Sequence, residues 1–287
     1  MAEQQQWFAG KPEFESFGLA FASDTEAYVG HLGKARDLTK RAVESAMRAD
    51  NKENAAIWQA IAAQREAAFG NYGEARRSAA EALRLAPSSQ GAESEAAIAF
   101  ALANDTERAE SLARDLGKRF PLDTQMQSLW LPAIQTQLAL DRKNPAVALA
   151  VPQAASPLEL GQIAFVLNIS CLYPVYVHGQ AYLTAGQGNA AAAEFQKILD
   201  HSGIVWNCWT GALAHLGVAR AYALEAGLGR VGTGLPSGQA QPGSAAEADA
   251  ARFRTLAAYK DFLSLWKDAD PDIPILKEAK AEYGKLQ

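Results

Sequence analysis

Apolar positions in this chain recur at helical spacing, and alanine is the commonest residue among them. Ala75 and Ala79 stand one turn apart, as do Ala109 and Ala113, and Ala190 to Ala193 form a run of high helix propensity. Short polar stretches punctuate the pattern, among them Gly70-Asn71-Tyr72-Gly73, Asn104-Asp105-Thr106 and Gly186-Gln187-Gly188-Asn189. No alternation of β-branched residues is sustained. The one β-rich patch, Ile163 to Val177, contains Pro174 and lies among helical patterns. The pattern predicts an all-α chain.

The punctuation is periodic. Ala75 and Ala109, Ala79 and Ala113, and Pro87 and Pro121 are each 34 residues apart. Each stretch reads as an apolar helix, a short polar turn, a second helix with small residues at four-residue spacing, and a proline. This is the period and layout of a tetratricopeptide repeat, and the chain resembles proteins of that kind from about Phe14 to its end. Gly30 to Ala35 matches Gly70 to Ala75 at an offset of 40 residues. Tyr176, Gly179, Tyr182, Ala191 and Phe195 fall where the consensus has its aromatic, small, aromatic, small and aromatic positions. The resemblance implies a right-handed α-solenoid of about five to six helical hairpins with a C-terminal capping helix. The expected repeats cover 14–53, 54–89, 90–123, 124–160, 161–205 and 206–274. A Gly-, Ser- and Pro-rich flexible insertion is expected over 227–245, and a capping helix over 275–287, with an outward polar face of Lys277, Glu278, Lys280, Glu282 and Lys285. Small residues have a physical role here: two helices approach closely only where a side chain is Gly or Ala, and an aromatic fills the hole beside it. One hairpin leaves an apolar face bare, so several must stack.

Two segments narrow the resemblance. Ala258 to Pro274, and Asp24 to Tyr28 followed by His31 to Arg36, look like the repeat region at the C-terminus of acidobacterial-type, eukaryotic-like serine/threonine kinases. The kinase motifs themselves are missing from the sequence: there is no His-Arg-Asp loop, no Asp-Phe-Gly and no strand lysine for ATP. The resemblance therefore carries over the array alone. Gln4 to Pro12 reads as the end of one helix and its turn, so the chain is expected to be a fragment of a longer protein, either such a kinase or the sensor half of a transcriptional regulator.

Composition narrows the function classes. Of 287 residues, 49% are hydrophobic and 21% charged, which supplies a core and excludes wholesale disorder. A net charge of −5 argues against a nucleic-acid partner, which demands a basic field. No apolar run approaches the ~20 residues of a membrane span. Residues 1–6 show no signal-peptide pattern, so the cytoplasm is favoured, or an extracytoplasmic site if the chain belongs to a membrane-spanning kinase. Cys171 and Cys208 lie in apolar surroundings and are expected to be inert buried thiols.

Candidate chemistry is sparse. Gly227, Gly229 and Gly232 spell G-x-G-x-x-G, but a helix leads in where a phosphate loop needs a strand, so a linker is expected. His31, His178, His201 and His215 show no metal spacing. Asp268, Asp270 and Asp272 lack the loop glycine and terminal glutamate of a calcium loop. No catalytic, cofactor-binding or metal residue is expected. The expected partner is a protein or peptide held in the concave groove, which the first helix of each pair lines. Helical spacing puts Gln64, Ile98, Leu131, Gln135, Tyr173, Tyr176, Gln180, Val218 and Tyr222 on that face. With almost no Lys or Arg there, the groove suits an amphipathic helix or extended peptide rather than an acidic terminus. The expected function is a non-catalytic interaction scaffold or regulatory array.

Overall fold

A computed structural model describes residues 7–8, 10–11, 14–151, 160, 171–228 and 245–287. Every regular element among them is helical. The helices pair into hairpins: α1 (Glu15–Tyr28) with α2 (Leu32–Arg48), α3 (Lys52–Ala68) with α4 (Tyr72–Leu85), and α5 (Gln90–Leu102) with α6 (Thr106–Arg119). A π-helical turn, Met126–Trp130, runs into α7 (Leu131–Asp141), which pairs with the short α8 (Pro145–Ala150). Then α9 (Tyr173–Thr184) pairs with α10 (Gly188–Asp200). After the single turn α11 (Ser202–Val205), α12 (Trp209–Glu225) pairs with α13 (Ala245–Leu265), and α14 (Pro274–Leu286) follows. The architecture is an all-α solenoid of stacked hairpins.

The two helices of a hairpin differ in burial because they differ in neighbours. α3 packs on α2, α4 and α5, and α5 packs on α3, α4, α6 and α7. Such first helices are buried on nearly every side, polar residues such as Gln64, Arg65 and Glu95 included. The second helices bury one narrow stripe, Ala35, Ala42 and Ala46 in α2 and Ala75, Ala79 and Ala82 in α4, and turn charged faces outward. Close approach explains the glycines as well. Phe195 of α10 is fully buried between α9 and α12. A Cβ at Gly179 would come within 2.7 Å of its ring, and one at Gly217 within 2.6 Å.

One turn device joins every hairpin. The residue after each first helix's cap has positive φ: Gly30, Gly70, Asn104, Lys143, Gly186 and Gly227. Its N–H bonds back three residues, and the next N–H bonds back five, as in His31 N to Glu26 O at 2.9 Å and Asp105 N to Phe100 O at 2.8 Å. This is the Schellman closure of a helix C-terminus, which satisfies carbonyls the helix leaves unpaired.

The stack also closes on itself. Asp270 N donates to Gly30 O at 3.0 Å, Gly33 N donates to Asp270 Oδ2 at 2.7 Å, and Trp266 Nε1 donates to Tyr28 O at 2.9 Å. Ile275 N donates to Phe69 O at 3.2 Å, and the rings of Phe69 and Trp266 meet edge to face at 4.9 Å. The segment between α13 and α14 therefore sits on the turns of the first two hairpins. A Cβ at Gly30 would lie 2.3 Å from Ala269 Cβ, and one at Gly70 2.7 Å from Pro274 Cβ, so glycine is demanded there by contact as well as by φ.

Two expectations change. Cys171 and Cys208 are not free thiols: they form a disulfide that ties the entry of α9 to the residue before α12. A separation of 37 residues gave no hint that two turns would meet. The polar face of α14 is not wholly outward. Glu282 is buried and bonds Arg220 and Tyr259, whereas Lys277, Lys280 and Lys285 are exposed. The Gly229 and Gly232 of the G-x-G-x-x-G, and nearly all of the 227–245 insertion, lie outside the described residues.

Candidate functional site

The C-terminal ends of α3, α5, α7, α9 and α12 border one inner cavity of about 690 Å³, with α13 and α14 across from them. Ala67, Leu102, Leu183 and Ala223 give it apolar patches. Gln137, Asp141, Tyr176, Gln180 and Arg220 supply polar ones, and Tyr72, Lys143 and Glu278 also border it. The first turns of α4, α8 and α14 border the same space through Tyr72, Pro145 and Ile275, so helix ends of both signs meet there.

The side chains are held by a relay on one wall and an ion cluster on the other. Tyr173 Oη donates to Gln137 Oε1 at 3.3 Å, and Gln137 Nε2 donates to Asp141 Oδ1 at 2.9 Å. Asp141 Oδ2 is buried and has no hydrogen-bond partner. Burial pushes the Asp141 carboxyl up to about 6, against the lowering effect of Gln137. Opposite, Arg220 grips Glu282 through Nε at 3.0 Å and Nη2 at 2.9 Å, with Glu278 at 3.4 Å. Tyr259 Oη donates to Glu282 Oε2 at 2.9 Å. Burial would lower the Arg220 pKa, but the charge and hydrogen bonds of Glu282 outweigh it, so the net shift is upward. Gln180 Nε2 donates to Tyr176 Oη at 3.1 Å, and burial pushes that phenol up to about 12. Tyr72, at the rim, is raised by burial, then by the charges of Glu278 and Asp141.

Of the groove residues expected from sequence, Tyr176 and Gln180 border this cavity. Leu131 and Gln135 border a different groove, between α6, α7 and α8. Tyr173 is buried behind the cavity wall, where it holds Gln137. Gln64 is buried and bonds Glu95, while Ile98 and Val218 are core residues. Tyr222 is half-buried beneath the guanidinium of Arg254. The nine positions do not form one surface. Helical spacing placed all of them on first helices, but those helices are covered on most sides, and the residues that reach open space face two different grooves. Asp141, Arg220 and Glu278 escaped sequence reading because an acidic or basic residue near a helix end normally signals a solvated cap.

Among the described residues, no helix is long and apolar enough to cross a membrane, and no group of three or more His, Cys, Asp or Glu is arranged to hold a metal ion. His31 pairs with Glu26 at 2.8 Å, and Asp270 caps Gly33.

Fold and site together define a class: an α-solenoid of helical hairpins with a half-open pocket where several helix ends meet. No family profile matches the chain, and no curated protein matches it. Among solved structures it is similar to the crystal structure of yeast Tom70, with a TM-score of 0.47 and 13% identity. The likeness covers 99% of this chain and 57% of that one, so the chain spans little more than half of that protein's length.

Proposed function

We propose that this chain is a non-catalytic protein-interaction array whose inner cavity takes a segment of a partner protein. The observation that supports it is the meeting of five first-helix ends on one space of about 690 Å³, part apolar and part polar. That size lies within the range of sites that enclose a few residues of a ligand. Tyr176 and Gln180 are the groove residues we assign to it, and no residue is assigned a catalytic role. The test is a screen of ten-residue peptides of varied charge by fluorescence polarisation against the purified chain. At least one charge class is expected to bind, and absence of binding by every class would overturn the reading. ATP is expected not to bind by calorimetry.

A finer reading makes the array a regulatory part of a larger signalling protein of the serine/threonine kinase type. It rests on the resemblance of Ala258 to Pro274 to the repeat region of those kinases. The disulfide of Cys171 and Cys208 favours an extracytoplasmic place for it, since such bonds persist in oxidising compartments. The genomic sequence upstream of Met1 decides: an in-frame kinase domain supports this reading, and a stop codon removes it.

A further inference from the structure

The fourth hairpin is short of helix. The second helices of the other hairpins run from 13 to 21 residues, whereas α8 has six. At the helical rise per residue, α8 covers about 9 Å of the roughly 17 Å that α7 offers. The faces of α6 and α7 beside it, with Ala113, Leu131 and Leu138, form the walls of a second groove, of about 740 Å³. To this groove α8 adds Val147, which is 50% exposed, and Val151 at its end. The apolar walls carry a positive rim. Arg114 and Lys118 on α6 and Arg142 after α7 are all exposed. Among the residues that line the groove there is one carboxylate, Glu110, and it is paired with Arg142. Arg114 Nε donates to the backbone carbonyl of Glu110 at 3.3 Å, which brings it no negative charge. Asp115, the next residue of α6, is bonded to Arg119 at 2.6 Å. Arg114 and Lys118 thus border the groove with no acid of their own in it, although the chain as a whole has a net charge of −5.

We propose that this groove docks an acidic amphipathic helix of a partner protein, its apolar stripe against Leu131, Leu138 and Val147 and its carboxylates beside Arg114 and Lys118. A helix fits because the groove lies where the missing turns of a full-length second helix would stand. Its walls are side chains of α6 and α7, whose backbone groups are spent within the helices, so an extended strand would find no edge to pair with. Acidic flanks fit because the rim is positive and lacks its own anions. This interaction is separate from the one at the inner cavity: the two sites share no lining residue, and either can fail alone.

The test uses the full chain and three 18-residue peptides. Each has the same Leu and Ala stripe at helical spacing, and they differ only at two flanking positions, which carry Glu, Gln or Lys. Fluorescence polarisation at low salt is expected to rank the Glu peptide about fivefold above Gln, with Lys last, and the margin should shrink as salt rises. Arg114→Glu combined with Lys118→Glu, two exposed positions whose exchange spares the fold, should reverse the ranking in favour of Lys. Val147→Asp, at a half-exposed position, should weaken the Glu peptide about tenfold while the melting temperature holds. Equal binding of the Glu and Lys peptides, or a ranking that the charge reversal leaves unmoved, would overturn the proposal. Glu-peptide binding untouched by Val147→Asp would also overturn it, by placing the peptide elsewhere on the molecule, the inner cavity included. Failure of all three peptides would do the same. Sedimentation would then assign the groove to a second copy of the chain if a dimer is found that Val147→Asp disperses.

Discussion

At the scale of single residues, two environments carry predictions. Phe195 is clasped by Gly179 and Gly217, and any side chain at either glycine displaces its ring. Gly179→Leu is expected to destabilise by about 1–3 kcal/mol or more through overpacking. Gly284→Leu is the control, because nothing lies near a Cβ there. Thermal melts compare them, and equal midpoints would contradict the clasp. The second environment is Glu95, buried against Gln64, whose carboxyl burial pushes up to about 8. A carboxyl with a raised folded pKa binds its proton more tightly in the folded state. Stability from this group is therefore full below the ordinary glutamate value of about 4.5 and declines as pH rises from there through about 8. Glu95→Gln should match wild type near pH 4.5 and exceed it at pH 9 by at least about 1.4 kcal/mol, one pK unit's worth. Urea melts at the two pH values check this. A variant less stable than wild type at pH 9 would show that the carboxylate is needed.

At the scale of elements, the repeat is written in its turns. Hairpins with different sequences and helix lengths share the same Schellman closure, and Asn104 and Lys143 adopt the positive φ that glycine adopts elsewhere. The fourth hairpin departs most. Pro145 opens α8, which is six residues long, and a π-helical turn precedes α7. The fifth and sixth hairpins are tied by the disulfide, which pins the entries of α9 and α12 together. Cross-links of this loop length are worth about 2–4 kcal/mol. Reduction is expected to lower the denaturation midpoint of wild type and to leave that of the Cys171→Ser, Cys208→Ser double variant unmoved. Labelling of both cysteines by iodoacetamide in the native, unreduced protein would contradict the bond.

At the scale of the whole molecule, closure is the organising fact. An open array has independent ends, and its neighbours couple only pairwise. Here Trp266 is buried against Phe69 and bonded to the Tyr28 carbonyl, so the last hairpin stabilises the first two. Trp266→Ala should cost about 3–5 kcal/mol, as large aromatic truncations in cores do. Hydrogen exchange locates the damage. The amides of Gly33 and Ile275, which bond across the closure, should lose protection first, ahead of those in α5 and α6. Uniform loss along the chain would mean that closure is not a separate cooperative contact. The cavity depends on it too, because Tyr259, Ile275 and Glu278 form its far wall.

The sequence by itself determined the fold class. Local spacing decides it: small residues at one-turn intervals, turn residues between them, and the 34-residue interval are all short-range signals. The Gly179–Phe195 clasp was legible because the consensus spacing carries it. The tertiary structure alone decided which faces stay open. First helices look like groove-liners in sequence, yet Ile98, Val218 and Tyr173 are buried because neighbours cover them. It alone decided the Cys171–Cys208 bond, the inward turn of Glu282 onto Arg220, and the seating of Trp266 and Asp270 on turns 238 and 237 residues earlier. The first two depend on how neighbouring hairpins dock and the last on rotations accumulated over the whole stack, and no local pattern in the chain records either.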